Sequence, residues 1–338
     1  MALFSLFGLH TETCGIDIGY HGIRGAQLKY PRQHAPLVAL SEVQLSKKVF
    51  DKNQLADKDG LAQAIHQLVQ SGQPHPITAK AVVAALPEMF IFTRVIQLPN
   101  LPPEELQMAL PHEVSQYIPL PVEDVYYDHV RLALRPDKEQ LDVALFAAPK
   151  VLVDDLIDAI HQNGLELYAL ETKATAIMRS LLPLGTTESA LIIEIGSEST
   201  RMTVADHGNV WLTTSLNVGT LQLLKTLSEK LAKPEAEVKE YLAKHQSVNT
   251  ESILSTAVSG IVQEAISATR YHETRDYHPT KIHRAIVVGQ GTTIPGIIPA
   301  IVRSFHIKCE PGLPLVTGVA NVDLKFGVAL GLSMRSLS

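Results

Sequence analysis

Two short segments of this 338-residue chain place a carboxylate two residues before a glycine turn. Residues 16–28, IDIGYHGIRGAQL, and residues 193–205, IEIGSESTRMTVA, each run from an apolar strand through a glycine into a second strand. An arginine follows each glycine at the same spacing. Glycine allows close approach of the backbone, and the N–H groups of such a turn can bind phosphate oxygens. The repeat therefore predicts two similar halves, each with a phosphate-binding turn.

A third glycine turn lies further along the chain, in residues 286–296, IVVGQGTTIPG. An apolar strand enters the glycines Gly289 and Gly291, and a helix is predicted to follow. A turn of this kind can approach an adenosine ring and an α-phosphate, although a strand followed by two glycines is common in proteins. The acidic residues before the first two turns, Asp17 and Glu194, could hold Mg²⁺ through water or orient an attacking water.

Composition excludes several classes of protein. The net charge of −6 argues against a nucleic-acid binder, and 46% hydrophobic with 19% charged residues is typical of a globular protein and not of a disordered one. Two distant cysteines, Cys14 and Cys309, cannot staple a chain of this length, which favours a reducing compartment. The sequence has no apolar run of the ~20 residues that a membrane-spanning helix requires.

Hydrophobic periodicity predicts an α/β protein in two halves. We assign residues 1–89 and 166–187 to a first lobe and residues 90–165 to a small inserted α+β subdomain. Residues 188–338 form the predicted second lobe, with a helical subdomain at about 220–275. Within the insertion, Pro102 and Pro103 stand where a helix would begin, and Pro111 predicts a kink or two short helices.

The three turns in this order, the start LFSLFG followed by GIDIG, and the segment LPNLPPEELQMALPHEVSQYIPLPVEDVYYD (residues 98–128) resemble the sugar kinase–Hsp70–actin superfamily. Within it the chain most resembles the PilM family of type IV pilus assembly proteins, which is related to the division protein FtsA. The resemblance covers nearly the whole chain. It implies an actin-like, two-lobed α/β fold with duplicated ribonuclease-H-like cores and a small inserted α+β subdomain. It also implies ATP or ADP with Mg²⁺ in the cleft between the lobes.

The resemblance implies a set of nucleotide-binding positions in this sequence: Asp17, Gly19, Gly196, Ser199, Thr200, Gly219, Lys239, Glu264, Gly289, Gln290 and Gly291. It further implies a catalytic role for Glu194 and a water-mediated Mg²⁺ at Asp17. The chain departs from the family pattern, because Tyr20 and His21 replace the usual small hydroxylated residues and Glu194 replaces an aspartate. We therefore expect nucleotide binding with at most slow hydrolysis.

The family also implies a scaffold of a pilus or related secretion complex, cytoplasmic and peripheral at the inner membrane. Its implied partner is the cytoplasmic N-terminal tail of a PilN-like bitopic membrane protein. We place the partner groove between the insertion and the first lobe, near Glu113, Gln116 and Tyr117. The N-terminal segment is apolar at Leu3, Phe4, Leu6, Phe7 and Leu9. It carries no lysine or arginine, so we expect recruitment through the partner instead of through lipid.

Two alternative functions stay open from the sequence. The first is a small-metabolite kinase of the same superfamily, which would need a catalytic aspartate near the second turn, where this chain has Glu194. The second is an FtsA-like filament-forming protein tethered to the membrane. Such proteins carry a C-terminal amphipathic helix, and the ending MRSLS disfavours that reading. Self-association without a membrane tether also stays open.

Overall fold

A computed structural model of the chain describes residues 12–45, 49–51, 54–87, 90–134, 139–245, 247–274, 280–305, 307–318 and 322–336. The apolar N-terminal segment, residues 3–9, lies outside this description. The strands of the described residues are β1 Thr13–Ile18, β2 Gly22–Leu28, β3 Leu37–Gln44, β4 Phe50–Asp51, β5 Gln54–Leu55, β6 Gln73–Pro74, β7 Ala81–Ala85, β8 Phe92–Pro99, β9 Val125–Leu134, β10 Gln140–Pro149, β11 Glu166–Glu171, β12 Ala190–Ile195, β13 Thr200–Asp206, β14 Asn209–Leu216, β15 Arg284–Val288 and β16 Lys308–Pro311.

Helices lie between groups of these strands, as in other proteins of mixed α and β structure. They are α1 Lys58–Gln70, α2 Pro103–Tyr117, α3 Lys150–His161, α4 Lys173–Leu181, α5 Thr220–Leu231, α6 Glu235–Lys244, α7 Val248–Ala257, α8 Ser259–Glu273, α9 Ile297–Ser304 and α10 Gly327–Ser333. In the described ranges, none of them combines the length and the apolar content that crossing a bilayer requires.

The chain divides into two compact units. The first contains the described residues up to Ile91, together with Ala148–Pro183 and the segment that starts at Pro314. The second contains Phe92–Ala147 and Leu184–Leu313. The sequence prediction placed Phe92–Ala147 in a separate subdomain, whereas this range belongs to the second unit. Two helices also lie in another unit than predicted, because α3 and the C-terminal segment both belong to the first unit.

Packing explains both differences. Helix α3 was predicted inside the insertion, but it buries Leu152, Leu156 and Ile160 in the core that α1 also lines. Helix α10 was predicted in the second lobe, but it packs on β1, β2 and α4 of the first unit. Each helix is amphipathic or apolar, and such a pattern shows that a face is buried without showing which core receives it.

The two units repeat one sheet topology. The order β3-β2-β1-β7-β11 in the first unit matches the order β14-β13-β12-β15-β16 in the second, and β6 extends the first sheet beyond β3. In both units the first three strands are antiparallel neighbours, and the last two run parallel to the central strand. The internal repeat inferred from the two glycine segments is therefore a repeat of whole sheets.

The insertion forms a separate three-stranded sheet, of order β8-β10-β9, which α2 covers. The structure has one helix over Pro103–Tyr117, so of the two alternatives predicted at Pro111 that of two short helices is wrong, and that of a kink stays a prediction. The buried positions Leu106, Leu110 and Val114 continue at helical spacing past the proline. Burial of such side chains contributes about 1.5–3 kcal/mol each, which outweighs the ~3 kcal/mol that a proline costs inside a helix.

The hairpin between β13 and β14 is held by Asp206, a buried carboxylate at its tip. Ser189 and Thr280 donate to it at 2.5 and 2.6 Å, His207 Nδ1 lies at 2.7 Å, and His272 Nε2 lies at 3.4 Å. Burial alone would raise the pKa of this carboxyl, but hydrogen bonds from His272, Ser189, Thr280 and His207 hold its pKa below the ordinary value. The network ties α8 and the start of β12 to the hairpin.

Helix α10 approaches its neighbours so closely that glycine is required on both sides of the contact. A Cβ atom at Gly331 would overlap the carbonyl of Ala176 in α4, and one at Gly15 in β1 would lie 2.6 Å from the backbone nitrogen of Ser333. Neither neighbour is a flexible side chain that could move aside. The C-terminal helix thus closes the core of the first unit through backbone-to-backbone contact.

We expect Gly331→Ala to lower the free energy of unfolding by about 1–3 kcal/mol, because the added methyl group overpacks the α10–α4 contact. Gly260→Ala in α8 is the matched control, since its Cβ would meet only Leu216 at 3.6 Å. That control should leave stability unchanged or raise it by up to about 1 kcal/mol. Urea denaturation followed by circular dichroism measures both changes. Equal stability of the two variants would contradict the packing argument.

Candidate functional site

The two glycine turns have the same local geometry. The Gly19 N–H donates to the Gly22 carbonyl at 3.0 Å, and the Gly196 N–H donates to the Ser199 carbonyl at 2.9 Å. A Cβ atom at either Gly19 or Gly196 would lie 3.0 Å from that same carbonyl. Both turns follow the carboxyl end of the central strand, β1 or β12. In α/β sheets this is the edge at which ligands bind.

Strand register explains why an arginine recurs after each glycine. Asp17 stands directly opposite Arg24 across β1 and β2, and Glu194 stands directly opposite Arg201 across β12 and β13. Directly opposed charges of unlike sign stabilise an antiparallel pair. In the second unit the two side chains are in direct contact, and Arg201 Nη1 donates a hydrogen bond to Glu194 Oε2 at 2.5 Å. The residue predicted to be catalytic is therefore half of a cross-strand ion pair.

The first hairpin uses the equivalent arginine differently. Arg24 Nη1 lies 3.8 Å from Asp17 Oδ2, while Arg24 Nε donates to Glu42 of β3 at 2.9 Å. The close partner of Asp17 is Lys173, the first residue of α4, whose Nζ lies 2.5 Å from Oδ1. The same ammonium donates to the Ile18 carbonyl at 2.7 Å. Sequence analysis missed Lys173, because nothing in its local sequence shows that it reaches the end of β1.

A magnesium ion at Asp17 does not fit these contacts. The carboxylate is 4% exposed, and Lys173 and Arg24 both face it. Mg²⁺ requires oxygen ligands at about 2.0–2.1 Å in near-octahedral geometry, and a divalent ion beside two cations is repelled by both. The expectation that Asp17 holds Mg²⁺ through water is therefore not supported by the arrangement of its neighbours.

Gly219 brings a helix against the second turn. It precedes α5, and a Cβ atom there would lie 2.6 Å from the backbone nitrogen of Glu198. The Thr220 backbone N–H and hydroxyl donate to the Gly196 carbonyl at 2.9 and 2.8 Å. The amino end of α5 is thus joined to the glycine turn, and its dipole favours negative charge at this place.

The third turn packs on the end of β12. Gly289 has φ +92°, a conformation that favours glycine, and a Cβ atom there would lie 2.6 Å from the Ile195 carbonyl. Gly291 lies directly against the Ile195 side chain, and a Cβ atom there would overlap it. Gly196, Gly219 and Gly289 therefore converge around the carboxyl end of one strand.

Lys239 of α6 joins this cluster. Its ammonium donates to the Thr293 hydroxyl at 2.8 Å, and Thr293 ends the 3₁₀ turn Gln290–Thr293 that follows Gly289. The structure thus places Lys239 beside the third turn, which contains the half-buried Gln290. The roles of both residues toward nucleotide stay predictions.

The remaining predicted residues of the second unit, Ser199, Thr200 and Glu264, make hydrogen bonds within the protein. Thr200 is buried, and its hydroxyl donates to the Val218 carbonyl at 2.6 Å. Glu264 accepts a hydrogen bond at 2.5 Å from Thr214 of β14, which lies two strands from β12. Ser199 supplies the carbonyl that closes the second turn. The direct roles of Thr200 and Glu264 toward nucleotide stay predictions.

The predicted partner residues share one face of the last turn of α2, which we call the α2 surface (Glu113, Gln116 and Tyr117). Glu113 is half-buried and Gln116 is exposed. Arg94 of β8 lies over the Tyr117 ring, 4.8 Å from its centroid, and 38% of Tyr117 stays exposed. The surface thus offers an aromatic ring that a cation holds in place beside a carboxylate.

A family model described as type IV pilus assembly protein PilM matches residues 15–336. The chain belongs to this PilM family. A solved structure titled PilM-PilN type IV pilus biogenesis complex is 21% identical, with a TM-score of 0.79 over 97% of this chain and 99% of that chain.

Two further solved structures share the architecture of this PilM-family chain. The ethanolamine utilization protein EutJ of Carboxydothermus hydrogenoformans is 14% identical, with a TM-score of 0.57 over 96% of this chain and 89% of that chain. MreB 5 of Spiroplasma citri, bound to AMPPNP, is 12% identical, with a TM-score of 0.52 over 95% of this chain and 94% of that chain. The predicted fold class is confirmed, because these matches show a mixed α/β, actin-like fold.

The Glu194–Arg201 pair is expected to contribute to stability in this PilM-family chain. Its side chains are 16% and 11% exposed, so Glu194→Gln leaves a guanidinium short of its charge partner and should cost about 1–3 kcal/mol. Glu240→Gln breaks a pair with 70% and 65% exposed side chains and should change stability by less than ~0.5 kcal/mol. Chemical denaturation of both variants tests this expectation. An unchanged free energy of unfolding in Glu194→Gln would mean that the pair contributes no stability.

Proposed function

We propose that this PilM-family protein is an actin-like scaffold of the type IV pilus inner-membrane assembly complex, that it binds ATP or ADP at its glycine turns, and that it binds the cytoplasmic tail of a PilN-like membrane protein. Association with the inner membrane is then peripheral, on the cytoplasmic side and through that partner. The observation that carries the nucleotide part is the convergence of Gly196, Gly219 and Gly289 at the end of β12.

This convergence supports nucleotide binding for physical reasons. Three glycines let their backbone segments pack closely together at the strand edge where α/β proteins bind ligands. The amino end of α5 favours negative charge there. Lys239, beside the third turn, adds a cation that can contact a phosphate or ribose oxygen.

The ion pairs of Asp17 and Glu194 argue against efficient hydrolysis. A general base or metal ligand must be free to take a proton or a coordination position. Asp17 is engaged by Lys173, and Glu194 is engaged by Arg201. We therefore propose nucleotide as a conformational ligand, hydrolysed slowly at most. The kinase alternative is disfavoured by the same observation, since Glu194 stands where a kinase needs its catalytic carboxylate.

ATP at about 100 times its dissociation constant should raise the free energy of unfolding by about 2.7 kcal/mol and so raise the melting temperature. Lys239→Met should reduce this shift, because it removes the cation beside the third turn. Lys244→Met is the matched control on the same helix, because Lys244 pairs, among the described residues, only with the exposed Glu240. Differential scanning fluorimetry measures the shifts. No shift at millimolar ATP or ADP would contradict nucleotide binding.

The α2 surface supports the partner part of the proposal. Partly exposed aromatic side chains beside charged groups are typical anchors of peptide recognition, because they bury a large area and orient the ligand by hydrogen bonds. Tyr117 is held by Arg94, which lowers the entropy lost when a ligand packs on the ring. The PilM in the similar solved complex is bound to PilN.

Tyr117→Ala and Glu113→Gln should each weaken binding of a peptide from the cognate PilN-like tail by about fivefold or more, the effect typical of an interface anchor. Glu105→Gln makes the same chemical change as Glu113→Gln on an exposed part of the same helix and should leave the affinity unchanged. Fluorescence anisotropy of the labelled peptide gives the affinities, with melting curves to check folding. Wild-type affinity in both test variants would place the partner site elsewhere.

A further inference from the structure

Lys173 is a buried lysine at the first glycine turn. The residue is 7% exposed and stands directly after the helix cap Thr172, at the start of α4. Lysine is almost never buried without a charge partner, because removing an ammonium from water is costly. Here the charge meets Asp17 Oδ1 at 2.5 Å and the Ile18 carbonyl at 2.7 Å.

The topology explains how a residue so distant in sequence reaches this turn. β1, β7 and β11 are parallel neighbours, so their carboxyl ends lie at one edge of the sheet. α4 begins just after β11, which places its first residue at the same edge as the Asp17–Gly19 end of β1. The lysine side chain then extends past the end of β7 to the carboxylate.

Comparison of the two hairpins shows what Lys173 adds. In the second unit, Arg201 contacts Glu194 across the hairpin. In the first unit, Arg24 makes its close contact with Glu42 and lies 3.8 Å from Asp17, while Lys173 of α4 makes the close contact with Asp17. The first glycine turn therefore has beside its carboxylate a buried ammonium that comes from outside the hairpin.

An ammonium has three N–H donors. The Ile18 carbonyl accepts one of them, and Asp17 Oδ1 lies at ion-pair distance without accepting a hydrogen bond, so within the described part of the chain the ammonium still has donor capacity. A phosphate oxygen at the Gly19 turn is an acceptor of the right charge, and charge-assisted hydrogen bonds of this kind are strong. Lysine supplies this contact as a point charge, without the coordination geometry that Mg²⁺ requires.

We propose that Lys173 takes the place of a divalent cation at the first glycine turn, so that ATP binds with a phosphate oxygen on the Lys173 ammonium and without a requirement for Mg²⁺. This inference rests on the proposed nucleotide binding and specifies how it occurs. It also gives a reason for slow hydrolysis, since an ammonium on the phosphate neither activates a water nor leaves Asp17 free to do so.

Isothermal titration calorimetry of ATP into the full chain, in EDTA and in millimolar Mg²⁺, tests the inference. The wild-type dissociation constants should agree within about threefold. Lys173→Met should weaken binding in EDTA by about tenfold or more, the loss expected for one charge-assisted contact. Lys58→Met is the matched control in the same unit, because that lysine pairs with Asp155 and Asp158 on α3. It should bind ATP as the wild type does.

Lys173→Met leaves Asp17 buried without its close partner, and this could prevent folding. The double variant Asp17→Asn/Lys173→Met removes both charges together and should fold, yet bind ATP at least tenfold more weakly than the wild type in EDTA. Wild-type binding that needs Mg²⁺ would overturn the inference and leave nucleotide binding intact. Wild-type affinity in the double variant would overturn it as well. No ATP binding in either buffer would overturn the proposed nucleotide function itself.

Discussion

A carboxylate at the end of the central strand, buried at Asp17 and half-buried at Glu194, is the constraint on which both glycine turns depend. A charge in this position is tolerated only if a cation reaches it, and the hairpin supplies one by placing an arginine directly opposite on the next strand. The pair fixes the register of the two strands and therefore the position of the glycine that follows. In the first unit the arginine also bonds Glu42, and Lys173 of α4 makes the close contact instead.

This exchange of partners separates two halves that otherwise share one topology. Glu194 pairs with Arg201 of its own hairpin, so this ion pair is set by local sequence. Asp17 pairs closely with Lys173, which is distant in sequence, so its ion pair depends on the packing of β7, β11 and α4. The same fold thus carries one glycine turn whose carboxylate is paired within its hairpin and one whose carboxylate is paired through tertiary structure.

Much of this could be predicted from sequence, because the relevant signals are local. A hairpin with a carboxylate two residues before a glycine and an arginine five residues after it fixes both register and topology, and it recurs in each half. Lys173 could not be predicted, since a lysine after a helix cap normally points to solvent. The units to which α3 and α10 belong were predicted wrongly for a related reason, because an apolar helix face does not show which core it packs against.

Glycine was the most ambiguous of these signals. Gly289 and Gly291 lie against Ile195, and Gly219 lies against the second turn, so each is required by chain packing whether or not a ligand binds. A glycine in a sequence pattern indicates only that the backbone must closely approach another group. In this chain the partner in each case is another part of the protein, and the convergence of these contacts on one strand end carries the functional argument.

The dependence of the first unit on its C-terminal helix bears on how the protein is made. The sheet around β1 is synthesised before α10, whose close contacts complete its core. The second unit is contained in Phe92–Ala147 and Leu184–Leu313, so all of its segments emerge from the ribosome earlier. Since domains generally fold as units during synthesis, the second unit can mature while the first still exposes the apolar face that α10 will cover. Completion of the first unit therefore waits for the synthesis of α10, and until then β1 and α4 offer a surface on which a chaperone can act.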